Sequence, residues 1–299
     1  MSISIYRGDI TLPAEVSSEI MQKTQEASAV MQLARQIALP GRGLAIPVIT
    51  GDPTAAWVDE TNPKPVSTPG LSTKIMQAYK LAVIVPFSDE FRRDAAALYD
   101  ELIARLPGAL ALKFDSTVFH GTAPGSNFDT FAAVTGQSIS GSGDSPVYSA
   151  LVAADTDVAV HGGILNGFAF SPQGKGELLS ALDGDGRPIF VNSVAEGAVP
   201  RLLGSPVAYT KGAYKAGAAA SGNDPAVPDV IGFAGDWTQA MYGTVEGVKV
   251  DISNQATLVD ANSNTINLWQ RNMFAVRAEI EVGFRADTAC FNKITRTHV

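Results

Sequence analysis

The sequence is short of the residues that do chemistry. A single cysteine, Cys290, excludes an intrachain disulfide framework, and no CxxC or Cys/His cluster is present to hold zinc. That scarcity fits a reducing, cytoplasmic folding environment. Only three histidines occur, His120, His161 and His298, and none stands in an HExxH, HxH or nucleophile-activating spacing. Each reads as an ordinary surface or turn histidine. Positive charge is also scarce: 30 acidic against 22 basic residues give a net charge of −8, which disfavours non-specific grip on a polyanion such as DNA. No window approaches the ~20 apolar residues of a membrane span. The opening MSISIYRGDITLPAEVSSEI lacks a basic region followed by an apolar run, so neither a signal nor a transit peptide is expected.

The motifs that come nearest to chemistry each lack a part. HGGILNGF at 161–168 has neither GxGxxG spacing nor the Lys-Ser/Thr of a phosphate loop, and reads as a turn. In LDGDGRP, Asp183 and Asp185 have calcium-loop spacing, but Arg187 takes the next ligand position and no closing glutamate follows. Asp59 and Glu60 are paired carboxylates in a Pro-rich stretch where water would leave them ordinary. Tyr209, Lys211, Tyr214 and Lys215 form too brief a run for a single-strand binding surface. With no GxSxG nucleophile motif either, the expectation is no catalytic residue, no cofactor and no metal ligand.

What is present is patterned apolar material. At 299 residues the chain can form two compact domains, or one with extended arms. Val16, Ile20, Val30, Leu33 and Ile37 predict an amphipathic helix over 14–39, ended by Pro40-Gly41, that could detach as an arm. LAIPVIT and KIMQAYKLAVIVP are strand-like, and between them GDPTAAWVDETNPKPVSTPGLST is dense in Pro, Gly, Thr and Asp. Residues 44–86 therefore read as a long, open two-stranded loop projecting from the body.

Ser88 is a plausible N-cap, and Phe91, Ala95, Leu98, Leu102, Leu106, Leu110, Phe114 and Val118 recur at helical spacing. They predict one helix of ~30 residues, about 46 Å long, kinked at Pro107. After the Gly/Ser-rich GQSISGSGDSP comes an α/β region: a helix over 147–160, a buried strand GFAFSP, a short helix GKGELLSALDG and a strand RPIFVNS. The final third is mostly strand. Val248, Val250 and Ile252 alternate with Lys249 and Asp251, and in MFAVRAEIEVGF six apolar residues from Phe274 to Phe284 alternate without exception, which predicts a long half-buried strand with a charged outer face.

Four stretches in this order, AAWVDETNPKPVST with KIMQAYKLAVIVPFSDEFRRD, LALKFDSTVFHGTAPG, RLLGSPVAYTKG with VIGFAGDWTQAMYGTVEGVKVDIS, and NLWQRNMFAVRAEIEVGFRADTACFNKI, resemble the tailed-bacteriophage major capsid protein family. The resemblance covers most of the chain from about residue 45. It implies an α+β Hong Kong 97-type fold: an N-terminal arm (1–43), an extended hairpin loop (44–87), a peripheral domain with a long spine helix (88–139), an axial α/β domain (140–240) and return strands of the peripheral domain (241–299). It further implies hexamers and pentamers tiling an icosahedral shell around double-stranded DNA, with portal, scaffolding and decoration proteins as further partners. The implied location is the virion, assembled in the bacterial cytoplasm. Some members carry a long cleaved N-terminal segment; with about forty residues before the loop, none is expected here. Some relatives crosslink a loop lysine to an asparagine, but Lys64 or Lys74 with Asn262, Asn264, Asn267 or Asn272 shows no desolvated pairing in the sequence.

For a shell subunit the work is association. Trp57 and Glu60 in the loop, and Arg92 and Arg93 at the start of the spine helix, are the expected intersubunit contacts, because the two groups have complementary charge. A solvated helix face is the alternative for the arginines. Two other readings of the chain are an encapsulin-like nanocompartment shell, which shares the fold, and, from another class, a soluble α/β hydrolase or transferase.

Overall fold

The computed structural model describes residues 14–41, 43–51, 57–58, 70–89, 95–140, 146–183, 185–190, 201–221, 224–259 and 263–298. Two helices, α1 (Ala14–Ala27) and α2 (Ala29–Leu33), precede strand β1 (Arg35–Ala38). Strands β2 (Leu44–Gly51), β3 (Gly70–Met76) and β4 (Tyr79–Ser88) lead to the long helix α3 (Ala95–His120). There follow β5 (Thr135–Ser138), α4 (Pro146–Val160), β6 (Gly167–Phe170), α5 (Pro172–Ser180), β7 (Arg201–Leu202), β8 (Ser205–Tyr209) and β9 (Asp229–Gly235). The return runs through β10 (Ala240–Thr244), β11 (Lys249–Ser253), β12 (Thr257–Val259), β13 (Thr265–Asn267), β14 (Met273–Ala286) and β15 (Phe291–Arg296).

Strand β14 is the spine of one sheet because its period-2 pattern gives it one fully apolar face. It pairs antiparallel with β4 over Met273–Val282, with β11 over Ala275–Glu279 and with β10 over Val282–Ala286. Since Ala275–Glu279 and Val282 are paired twice, β4 lies along one edge and β11 and β10 along the other. β1 closes this sheet by pairing parallel with β10. A second, six-stranded sheet has the order β5-β15-β9-β6-β8-β7. β2 and β3 form a separate two-stranded ribbon, as do β12 and β13.

Helix α3 joins the two sheets because its buried stripe is longer than either core. Leu106 and Leu110 pack with Ile20, Phe274, Val276 and Ile280 under the first sheet. One turn further on, Phe114, Val118 and Phe119 enter an aromatic core with Phe131, Phe233, Trp237, Phe284 and Phe291. The other face of the six-stranded sheet is covered by α4 and α5, through Leu151, Ala154, Val158 and Leu178 on Phe168, Phe170 and Ile294.

Several sequence expectations are met: the helix α4, the buried strand β6, the short helix α5, the alternating β11 and the long β14. Others are corrected. The single helix over 14–39 is two helices and a strand, because Ser28 caps α2 and Arg35–Ala38 finds a β10 edge to pair with. Ser88 ends β4 opposite Met273, the described helix runs from Ala95, and the residues between 89 and 95 that would show a cap lie outside the described residues. That helix has 26 residues and continues through Pro107, about 39 Å at 1.5 Å per residue. The described part of RPIFVNS makes only a bridge from Pro188 to Leu182, not a strand. The run KIMQAYKLAVIVP divides at Gln77-Ala78, its first part in the ribbon with β2 and its second against β14.

Candidate assembly interface

The ribbon β2–β3 runs from Leu44 opposite Met76 to Gly51 opposite Gly70 and pairs with no third strand among the described residues. A ribbon alone is marginal in water, so its direction has to be set at its root. Met76 is fully buried there, and Gly43, at φ +86°, lies so near that a Cβ would come 2.7 Å from the Met76 carbonyl oxygen. Arg285 of β14 then ties three segments together. Its Nε donates to the Ile75 carbonyl at 2.8 Å, Nη1 to Asp129 Oδ1 at 2.8 Å and Nη2 to Asn127 Oδ1 at 3.0 Å. Asp129 Oδ2 accepts from the Ala286 N–H at 3.2 Å, and the Tyr79 hydroxyl accepts from the Asn127 N–H at 3.3 Å. Lys74 donates from Nζ to the Ala286 carbonyl at 3.1 Å, so this lysine serves the root. Fork-shaped, charge-assisted bonds of this kind fix orientation as well as position.

Trp57 is 105 % exposed, so no described residue of its own chain shields the indole. A fully exposed tryptophan leaves a large apolar area for another surface to bury, worth about 2–3 kcal/mol. The other three expected contact residues, Glu60, Arg92 and Arg93, lie outside the described residues. Of the asparagines weighed for a crosslink, Asn267 accepts from the Gln270 N–H at 3.3 Å and Asn272 takes a left-handed backbone; Lys64 and Asn262 fall outside the described residues.

The polar groups inside the fold hold segments together. Asp115 of α3 is fully buried beneath the N-terminus of α2. Its carboxylate accepts from the Ser28 hydroxyl at 2.5 Å, the Ala29 N–H at 3.0 Å and the Val30 N–H at 3.4 Å. Burial pushes its pKa up to about 6, against the lowering effect of hydrogen bonds from Ser28, Thr210 and those two amides. Asp229 on β9 accepts from the Gly217 N–H at 2.7 Å and Arg296 Nε at 3.1 Å, and lies 2.7 Å from His298 Nδ1. Burial would raise its pKa, but bonds from His298, Gly217 and Arg296 outweigh that and hold it at about 2. Arg296 also donates to Glu177 at 2.5 Å, tying β15 to α5.

His298 is therefore more than a surface histidine, and sequence spacing could not show it, because its partner lies 69 residues away. Asp115 left a readable sign: a carboxylate one residue after Phe114 and three before Val118 sits on the edge of a buried stripe. His120 at the end of α3 has its pKa lowered by burial, and His161 Nδ1 lies 2.8 Å from the Asp157 carbonyl. Among the described residues no three of His, Cys, Asp and Glu gather to hold a metal ion.

Comparison with known proteins gives one consistent set of matches. A sequence profile of the phage capsid family matches residues 8–288. A probable major capsid protein of Mycobacterium phage L5 is 30 % identical, with 95 % of this chain and 89 % of that protein covered. Its counterpart in Mycobacterium phage D29 is 27 % identical over 93 % of this chain and 87 % of the other. Among solved structures, a chain of Gordonia phage Cozz superposes with a TM-score of 0.70 at 22 % identity, covering 91 % of this chain and 87 % of that one. The capsid of a native GTA particle, computed with C5 symmetry, gives a TM-score of 0.63 at 17 % identity, covering 92 % and 90 %.

Proposed function

Because the chain belongs to the phage capsid family, we propose that the β2–β3 ribbon is the anchor by which neighbouring copies lock together, with Trp57 as its apolar head. The protein is a structural major capsid protein of Hong Kong 97-type fold, and its place is the virion capsid. Its copies assemble as a multimeric shell of hexamers and pentamers. The encapsulin alternative is not favoured by these matches.

The finer reading continues from there. The arm (1–43), loop (44–87), peripheral domain (88–139 and 241–299) and axial domain (140–240) are the working parts, and the chain has no enzymatic role. Glu60 would meet Arg92 and Arg93 of an adjacent copy. Each exposed pair contributes only ~0–1 kcal/mol, but a closed shell repeats it many times, and weak units allow wrongly placed copies to leave. Double-stranded DNA would be enclosed without specific binding, since a copy with net charge −8 repels it. Portal, scaffolding and decoration proteins would act during assembly in the host bacterial cytoplasm.

The observation that carries the anchor reading is the complete exposure of Trp57. Trp57→Ala combined with Glu60→Ala should therefore leave the thermal midpoint of the isolated subunit unchanged while negative-stain microscopy shows no shells. Normal particles from the double variant would refute it.

A further inference from the structure

Both ends of the six-stranded sheet carry features that the fold itself leaves unused. At the β5 end, the outward face of α4 exposes three large apolar side chains among Ser149, Thr156 and Asp157. Tyr148, Val152 and Val160 are 46, 39 and 77 % exposed, and their spacings of four and eight residues put them on one stripe with Thr156 between. With Gln137 of β5 they line an open trough of about 520 Å³. Of the two acidic groups of α4, Asp155 and Asp157, it is Asp157 that lines this trough.

At the opposite end, β7 and β8 are joined by a two-residue turn, Leu203-Gly204, in which both residues have positive φ, +48° and +82°. Turns of that hand favour Asn-Gly because a branched or bulky side chain is strained there. Leu203 keeps the strained backbone and is still 42 % exposed, so the leucine serves neither its own turn nor the core. Beside it, Arg201 is exposed.

An apolar knob flanked by a cation and an apolar trough flanked by a carboxylate are complementary. Within one chain they belong to different parts of the sheet: five inter-strand steps of about 4.8 Å put β5, whose Gln137 lines the trough, roughly 24 Å from β7. We propose that the Leu203 tip of one copy docks into the α4 trough of the next, with Arg201 facing Asp157. Opposite edges of one sheet meet in a head-to-tail contact, and such contacts close into rings when the rotation divides a full turn. This rests on the chain being a shell subunit, and it names a second contact independent of the Trp57 ribbon.

Leu203→Asn gives the test its discrimination, because asparagine suits the left-handed turn. The isolated variant should melt at or above the unsubstituted subunit's midpoint, while the yield of closed particles by sedimentation falls at least tenfold. Val152→Glu should lose particles likewise with the fold intact by circular dichroism. Leu203→Cys combined with Val152→Cys should give, on mild oxidation, a ladder of covalent oligomers absent from either single variant; the native Cys290 is only 3 % exposed. Particles at normal yield from Leu203→Asn, or no ladder, would overturn the docking. Loss of particles from Val152→Glu alone would hand the trough to a different occupant and overturn it as well. If the unsubstituted chain forms no closed particles, the shell reading itself fails; if Trp57→Ala with Glu60→Ala abolishes them and Leu203→Asn does not, only the docking does.

Discussion

A buried carboxylate is the residue on which the N-terminal segment depends, and its titration gives that dependence a measurable slope. Asp115 has a folded-state pKa of about 6 against 3.8 for the free group. Between those values the folded chain holds a proton that the unfolded chain has released, so this group adds stability as pH falls from about 7 towards about 4. At 1.36 kcal/mol per pKa unit the gain is at most about 3 kcal/mol. Asp229 has the opposite sign. Its folded pKa of about 2 lies below the free value, so its contribution is complete above about pH 4 and is lost as pH falls through 4 towards 2. Asp115→Asn keeps an acceptor for Ser28 and cannot ionise, so it should flatten the rise in stability between about pH 7 and 4.5 while leaving the acid loss below about pH 4. Urea unfolding of the non-assembling Trp57→Ala, Glu60→Ala chain at each pH would read this without interference from association. An unchanged slope would mean that another group titrates there.

Strand β14 shows why one element can be read from sequence and its neighbours cannot. Its inward side chains meet two cores, while on the other side Arg277, Glu279 and Glu281 reach water and Arg285 serves the ribbon root, so the alternation survives in the amino acids themselves. Phe284 is fully buried against Phe114, Phe128 and Phe131, and Phe284→Ala should cost about 3–5 kcal/mol by the cavity it leaves. Three residues earlier, Glu281 faces outwards to an exposed Lys80, and Glu281→Ala should move stability by no more than about 0.5 kcal/mol. Urea midpoints of the two variants would check the contrast; similar losses would mean the outer face is also packed. The segment 14–39 was not legible in the same way. Its helical spacing is genuine as far as Leu33, but the break comes from Asp115, 87 residues from Ser28, and from the free edge of β10. A local pattern carries no record of a distant acceptor or a vacant edge. The interface was half legible for a related reason. Trp57 stands out because a large ring in a Pro-rich stretch has nothing local to pack on, whereas the significance of Leu203 lies in a backbone angle that no composition reveals.

For the whole molecule, the question is which force between copies dominates, since two opposing ones are built in. Each copy carries −8, so copies repel one another over a Debye length of about 30 Å at 0.01 M salt but only about 8 Å at 0.15 M. Against this would stand the apolar contacts proposed through Trp57 and the α4 trough, which salt does not screen, and the proposed exposed ion pairs, worth ~0–1 kcal/mol each, which it does. If burial of apolar surface drives association, raising salt from about 0.02 to 0.3 M removes more repulsion than attraction. The protein concentration at which shells first appear, followed by light scattering, should then fall several-fold over that range. If the pairing of Glu60 with Arg92 and Arg93 dominates instead, the threshold should rise with salt, and the tryptophan and the trough would be minor contributors to assembly. Repeating the titration with Glu60→Gln separates the terms, because removing one carboxylate lessens the net repulsion and deletes the proposed pair together. A lower threshold at low salt assigns control to net charge, whereas a higher one at every salt concentration assigns it to the pair.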